Sequence, residues 1–188
     1  MRKQLGMTLA EMIIAIVLMG IAMVAFTSFL VPQIRDSAMP HYQTRATALG
    51  QSFMSQILAR GFDENSDFDG GLLRCGENST SCTLPANLGP DSGESIPENF
   101  DDVDDYIGCW STPTTVAQCQ EASRGNISDI LGASSEDKYR NFRVEVRVAY
   151  DDLTATPPTG VTNYKKVTIT IFASNAQPLT LTAIRGNY

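Results

Sequence analysis

Residues 12–31, MIIAIVLMGIAMVAFTSFLV, form a run of twenty residues without a charged side chain. At 1.5 Å per residue, a helix of this length is about 30 Å long, which is the thickness of the hydrocarbon layer of a bilayer. A secretory signal peptide has a shorter apolar region of roughly 7–15 residues, followed by a small-residue cleavage site. No clear site of that kind follows Val31. The run therefore predicts a membrane helix that is retained in the protein.

The charges around this run predict its orientation. Arg2 and Lys3 precede it, and positively charged residues tend to stay in the cytoplasm. We therefore expect a single-pass protein of the inner membrane, with a cytoplasmic N-terminus and a periplasmic remainder. That remainder is long enough for one globular core, because the whole chain has 188 residues. The net charge of −7 argues against nucleic acid as a partner, because phosphate binding needs clustered Lys and Arg.

Two residues beside the apolar run are unusual for a plain membrane anchor. The short basic leader MRKQLG ends in Gly6, and Glu11 stands at the cytoplasmic end of the span. The leader, Gly6, Glu11 and the apolar run together resemble the class III leader of type IV prepilins. The resemblance implies cleavage between Gly6 and Met7 by a prepilin peptidase, followed by N-methylation of Met7. It also implies association with an inner-membrane assembly platform, helix stacking against other pilins, and final location in a pilus at the cell surface.

Glu11 has a physical role in this interpretation. A carboxylate inside a membrane helix costs a few kcal/mol, so it should have a partner. Cleavage would create an ammonium group on Met7, one helical turn or about 6 Å from Glu11 along the axis. That ammonium could neutralise Glu11 within one subunit or between stacked subunits and so decide their register. The alternative is that Glu11 lies at the level of the lipid headgroups and is solvated.

The rest of the chain predicts a helix on a sheet. Apolar residues recur at helical spacing in the segment 41–60, and three later segments alternate apolar and polar residues as strands with one buried face do. The helical stripe consists of Tyr42, Ala46, Leu49, Phe53 and Ile57, and the predicted strands are 141–150, 164–174 and 179–184. We expect an α+β fold in which a long N-terminal helix packs on a small antiparallel sheet, as in pilins.

The predicted organisation has four parts: a leader 1–6, a membrane or filament-core helix 7–31, an amphipathic second half 32–60, and an extracytoplasmic head 61–188. Within the head, residues 62–137 are rich in loop-forming residues and residues 138–188 hold the strands. All four cysteines lie beyond the membrane segment, in an oxidising compartment where disulfides form. Four cysteines allow three pairings. We favour the pairing of sequence neighbours, Cys75 with Cys82 and Cys109 with Cys119, over zinc binding, because their spacings do not match structural zinc sites.

Two acidic clusters are candidate calcium ligands, and no other cofactor is expected. Asn65, Asp67 and Asp69 have the alternating oxygen ligands of a calcium loop but lack the acid expected at its twelfth position. The second cluster places four carboxylates within five positions, where like charges repel unless they face water or a cation. It consists of Asp101, Asp102, Asp104 and Asp105. A solvated acidic loop and a calcium site both stay open.

The functional hypothesis is a structural one. Several short stretches, ILARGFDEN at 57–65, RCG at 74–76, GPDSGE at 89–94 and FDDVDDY at 100–106, resemble minor pilins of the mannose-sensitive haemagglutinin (MSHA) type. The main alternative is a pseudopilin of a type II secretion system, which would share the leader and helix. A membrane-tethered adhesin outside any filament is a further alternative. We do not expect an enzyme, because the single histidine, His41, provides no Ser/His/Asp or Cys/His constellation; a carboxylate-based hydrolase at residues 101–105 is the one enzymatic option left.

Overall fold

The computed structural model describes residues 8–66 and 73–188. The chain divides into two compact units, Met1–His41 and Tyr42–Tyr188. One helix, α1, spans Leu9–Leu58 and therefore contributes to both units. The second unit also contains a sheet, a short helix and several single turns of 3₁₀-helix.

From Leu9 onward, the first unit is the N-terminal part of α1. Its segment Leu9–Val31 has a mean hydropathy of 2.6, is long enough to cross a membrane, and contains no buried residue. Large apolar side chains on every face are exposed, including Ile13, Val17 and Phe26. A helix that is apolar all round needs lipid or other helices as its surroundings.

The second unit is built on a five-stranded sheet with the spatial order β2-β1-β3-β4-β5. The strands are β1 Gly108–Ser111, β2 Ser123–Asn126, β3 Phe142–Asp151, β4 Tyr164–Ala173 and β5 Leu179–Gly186. The pairs β1–β3, β3–β4 and β4–β5 are antiparallel, and β1–β2 is parallel. The α+β fold, the long N-terminal helix and the mainly antiparallel sheet confirm the fold class predicted from the sequence and are consistent with a pilin-like fold.

The core of this unit lies between the last part of α1 and the sheet. The helical stripe predicted from the sequence is buried at Ala46, Leu49, Phe53 and Ile57, and Tyr42 packs at its edge. It contacts the inward-facing residues of the two longest strands, which are Phe142, Val144, Val146, Val148, Val167, Ile169, Ile171 and Ala173. In β5 the residues predicted to face inward, Leu179, Leu181 and Ala183, are only partly buried, because β5 is an edge strand with a neighbour on one side.

The segment predicted to be loop-rich contains more structure than its composition indicates. It includes β1, β2, a short helix α2 at Ile127–Leu131 and several 3₁₀ turns. The cap of α2 is a capping box, in which Asn126 accepts from the Ser128 N–H and Asp129 accepts from the Asn126 N–H. Aromatic side chains of this segment contribute to the core. Trp110 lies against the rings of Phe53, Phe100 and Tyr106.

Candidate functional site

The N-terminal candidate site begins at the cap of α1. The Thr8 N–H and the Thr8 Oγ1 both donate to Glu11 Oε2, at 2.9 and 3.0 Å. In return, the Glu11 N–H donates to Thr8 Oγ1 at 3.4 Å. This reciprocal arrangement is a capping box, which satisfies N–H groups that the first helical turn leaves without an intrahelical partner. The sequence signal for it, Thr-x-x-Glu before an apolar run, is present at residues 8–11.

The two other predicted residues of this site, the cleavage residue Gly6 and the methylated residue Met7, lie outside the described residues. Their processing therefore stays a prediction. The capping box nevertheless changes the interpretation of Glu11, because its carboxylate already has a local hydrogen-bond partner in Thr8. A register role for Glu11 must therefore rest on its negative charge, which the hydrogen bonds from Thr8 do not neutralise.

The polar side chains within the apolar span are satisfied inside the helix. The hydroxyl of Thr27 donates to the carbonyl oxygen of Met23, and the hydroxyl of Ser28 donates to that of Ala25 at 2.9 Å. Hydrogen bonds of this kind leave no hydroxyl to be solvated by water, which is the requirement that a lipid environment imposes.

A second candidate site lies in the Tyr42–Tyr188 unit, around the fully buried side chain of Lys165. Its Nζ lies 3.1 Å from Asp63 Oδ2 and 2.5 Å from Asp104 Oδ1. The same ammonium group lies 4.9 Å from the ring centre of Phe62 and 5.5 Å from that of Tyr150. Lys165 was not among the site residues predicted from the sequence, although alternation along β4 places it on the same face as Val167 and the other buried residues.

The environment of Asp63 shows why this buried charge is stable. Burial by itself would raise the pKa of Asp63, but the Lys165 ammonium and the N–H groups of Asn65 and Thr83 bring the pKa below its ordinary value of 3.8. Asp63 therefore stays ionised and pairs with Lys165 at neutral pH. The arrangement joins the segment after α1, the loop before β1 and strand β4, so its role is structural.

The acidic run that was predicted from the sequence as one cluster is divided between different partners. Asp104 pairs with Lys165 and also accepts from the Gly89 N–H at 3.1 Å. Asp102 accepts from the N–H groups of Glu64 and Asp104 at 2.8 and 2.7 Å. Burial raises the pKa of Asp102 to about 9, and the charge of Asp104 adds to this effect. Both carboxyl groups are thus committed to holding the loop.

The other two residues of the run lie beside acids from elsewhere in the chain. Carboxylate oxygens of Glu64, Glu94 and Asp101 lie within 4.8 Å of one another, and Asp105 interacts with Glu94. Burial raises the pKa of Asp105 to about 7, with a further contribution from Glu94. Burial and the nearby charge of Asp101 raise the pKa of Glu64 to about 7. We call Glu64, Glu94, Asp101 and Asp105 the acidic cluster.

The calcium loop predicted at residues 65–69 cannot be assembled from the described residues. Asp67 and Asp69 lie outside them, and the Asn65 side chain donates to Asp63 Oδ1 at 3.3 Å. Of the seven predicted calcium ligands, the structure brings together Asp101 and Asp105. Sequence reasoning missed Glu64 and Glu94, which come from two other segments and carried no local spacing signal. Calcium binding stays a prediction at this stage.

The cysteines form two disulfides, Cys75–Cys82 and Cys109–Cys119. These are the neighbouring pairs favoured from the sequence. Asp63 lies close to the first pair, in a grouping that resembles a metal site by distance alone. Both sulfur atoms of that grouping are oxidised in the disulfide, so they are not available as thiolate ligands.

The comparison with known families addresses the N-terminal site. Residues 1–27 match the family model of the prokaryotic N-terminal methylation motif. The match supports a type IV pilin-like or pseudopilin protein, a class that is typically structural rather than enzymatic. A prepilin leader of this kind implies processing by prepilin peptidase and assembly with other pilins, and its apolar helix fits a membrane-anchored pilin. No curated protein and no solved structure matches the chain.

Proposed function

We propose that this chain is a minor pilin of a type IV pilus of the MSHA kind, and that it takes part in pilus assembly, initiation or tip formation. The observation that carries the proposal is the N-terminal methylation motif at residues 1–27, followed by an apolar helix whose side chains are all exposed. Within that class we propose the MshD type, on the resemblance of the short stretches at 57–65, 74–76, 89–94 and 100–106.

The exposed helix supports a protein that moves from lipid into a filament. Lipid tails are as apolar as the side chains of the span, so helix association in a membrane gains little from the hydrophobic effect. Packing and polar interactions must then decide how the subunits align. Within the described part of the span, Glu11 is the one charged residue.

Glu11 is therefore the residue that we expect to set the register. The proposed cleavage after Gly6 would place an ammonium group four residues before Glu11, and N-methylation would keep its positive charge. In the low dielectric of a helix bundle this pair of charges attracts more strongly than in water. An unpaired carboxylate in the same bundle costs a few kcal/mol. In a misaligned subunit, the Glu11 carboxylate would be unpaired and association would be weaker by that amount.

The capping box allows an experiment that separates the charge of Glu11 from its hydrogen bond. Glutamine at this position can still accept from Thr8, because Glu and Gln both serve in capping boxes. We expect Glu11→Gln to abolish incorporation into sheared surface pili, since it removes the charge. The matched control Thr8→Ala removes the cap and keeps the charge, and it should still be incorporated.

Two further measurements complete the test. Mass spectrometry of the membrane-extracted protein should show a methylated N-terminus at Met7; a start at Met1 or after Val31 would contradict the proposal. Wild-type incorporation of Glu11→Gln would contradict the register role. Recovery of the wild-type protein in sheared surface pili separates a pilin from a secretion pseudopilin, which would be absent from that fraction.

A further inference from the structure

The acidic cluster brings carboxylates from three separate segments to one place. Glu64 follows α1, Glu94 belongs to the long loop, Asp101 precedes the 3₁₀ turn before β1, and Asp105 lies in that turn. One oxygen from each of Glu64, Glu94 and Asp101 lies within 4.8 Å of the others. Ligands on opposite sides of a calcium ion are about 4.8 Å apart, because each Ca–O distance is about 2.4 Å. The three oxygens therefore fit around one such ion.

Asp105 provides the independent observation that points to a ligand. Its side chain is 1% exposed, and its Oδ2 accepts from the N–H groups of Asp101 and Asp102, both at 3.0 Å. These two bonds fix the carboxylate. Its other oxygen, Oδ1, is buried, and no donor in residues 8–66 and 73–188 reaches it. The Asp105 carboxyl group interacts with the side chain of Glu94, which is one of the three grouped residues.

Asp101 repeats this pattern. Its Oδ1 is also buried and has no donor within the same described ranges. Its side chain interacts with those of Glu64 and Glu94. Buried oxygen atoms in native proteins almost always have a hydrogen-bond donor or a cation as partner. A bound cation can satisfy two carboxylate oxygens that lie at one place without a donor.

Among the described residues, no nearby Lys or Arg donates a hydrogen bond to these carboxylate oxygens, although the charge of Arg124 interacts with Asp105 and Glu94. Lys165 is committed to Asp63 and Asp104, outside the acidic cluster. The Arg124 guanidinium donates to backbone oxygens, from Nε to Asp105 at 2.9 Å and from Nη2 to Glu94 at 2.7 Å. No ion pair between the cluster and a Lys or Arg occurs in the part of the chain that the structure describes.

We propose that Glu64, Glu94, Asp101 and Asp105 bind one calcium ion, which ties the segment after α1 to the loop before β1. Carboxylate oxygens are the ligands of hard cations, and calcium accepts irregular geometry from several of them. Zinc and copper sites use histidine or thiolate ligands, and the cluster contains neither. This inference is independent of the proposed assembly role, because it concerns the head alone.

The test uses the full chain in detergent micelles after treatment with EDTA and dialysis. Equilibrium dialysis with ⁴⁵Ca should give one bound ion per chain. Millimolar CaCl₂ should raise the melting temperature by about 5 °C, from the usual coupling between binding and stability for a site of 10⁻⁴ M affinity. MgCl₂ at equal ionic strength should raise it much less, because magnesium demands shorter and more regular coordination.

Asp105→Asn and Glu94→Gln should each lose most of the calcium-dependent shift. The asparagine keeps an oxygen for the two backbone N–H groups, so the loop can still form. The matched control is Glu98→Gln, which removes the same charge from an exposed residue of the same loop, and it should retain the shift. The proposal is overturned if calcium neither binds nor stabilises the wild type, if magnesium acts equally, or if both cluster variants keep the full shift. The calcium experiment does not measure pilus incorporation. A failure of the calcium proposal can therefore be told apart from a failure of the assembly role tested with Glu11→Gln.

Discussion

Replacing Lys165 by methionine should destabilise the head strongly. The substitution keeps a long side chain but removes the ammonium group, which lies 3.1 Å from Asp63 Oδ2 and 2.5 Å from Asp104 Oδ1. All three side chains are almost completely buried, so two carboxylates would be left without a cation in a region of low dielectric. Removal of one partner from a buried ion pair costs about 3–5 kcal/mol. For a protein of this size, that loss lowers the melting temperature by about 10 °C.

The measurement is urea unfolding followed by circular dichroism, with calcium present throughout. Lys166→Met is the matched control, because Lys166 is half-exposed and pairs with Asp151 at 2.8 Å; exposed pairs contribute at most about 1 kcal/mol. Adding Asp63→Asn and Asp104→Asn to the Lys165 variant should recover part of the loss, since it removes the unpaired charges. A Lys165→Met variant within about 1 kcal/mol of the wild type would refute the reasoning.

Two further predictions concern the same unit. Removing the first disulfide with Cys75→Ser and Cys82→Ser should lower the free energy of unfolding by about 2.5 kcal/mol, the value for a loop this short, measured as a shift of the urea midpoint; an unchanged midpoint would contradict it. In EDTA, stability should fall as the pH rises from about 4 to 9, because the folded state holds protons that the unfolded state has already lost. The responsible groups are Asp105 and Glu64, whose pKa values burial raises to about 7, and the buried Asp102, raised to about 9. Melting curves at each pH check this, and a stability that rises across the same window would show that the acids are not protonated in the folded state.

The main sheet could be predicted because its pattern is local. Strands β3 and β4 alternate apolar and polar residues, and the structure confirms their predicted bounds within one residue. The same alternation also places Lys165 on the buried face, so the sequence contained a signal for the ion-pair site. Its partners could not be predicted, because Asp63 and Asp104 are 102 and 61 residues away along the chain.

The smaller strands and the acidic cluster depend on contacts that no local pattern records. Strand β2 has the sequence SRGN and no apolar alternation, and it forms because β1 provides a neighbour for it. The acidic run at residues 101–105 has uniform composition, yet its members point to different partners because the chain turns there. Composition left a solvated loop and a calcium site both open there, and it carried no signal for Glu64 and Glu94.

The positions of the two disulfides in the chain allow both of them to form early in folding. Each joins cysteines that are only 7 or 10 positions apart, and all four precede β3, β4 and β5 in the chain. A head whose residues become available in chain order can therefore close both crosslinks before the residues of β3, β4 and β5 are present. Short loops also close faster and at a lower entropic cost than long ones, which favours these partners over the others during oxidation. Correct disulfide pairing therefore does not require that the main sheet has formed.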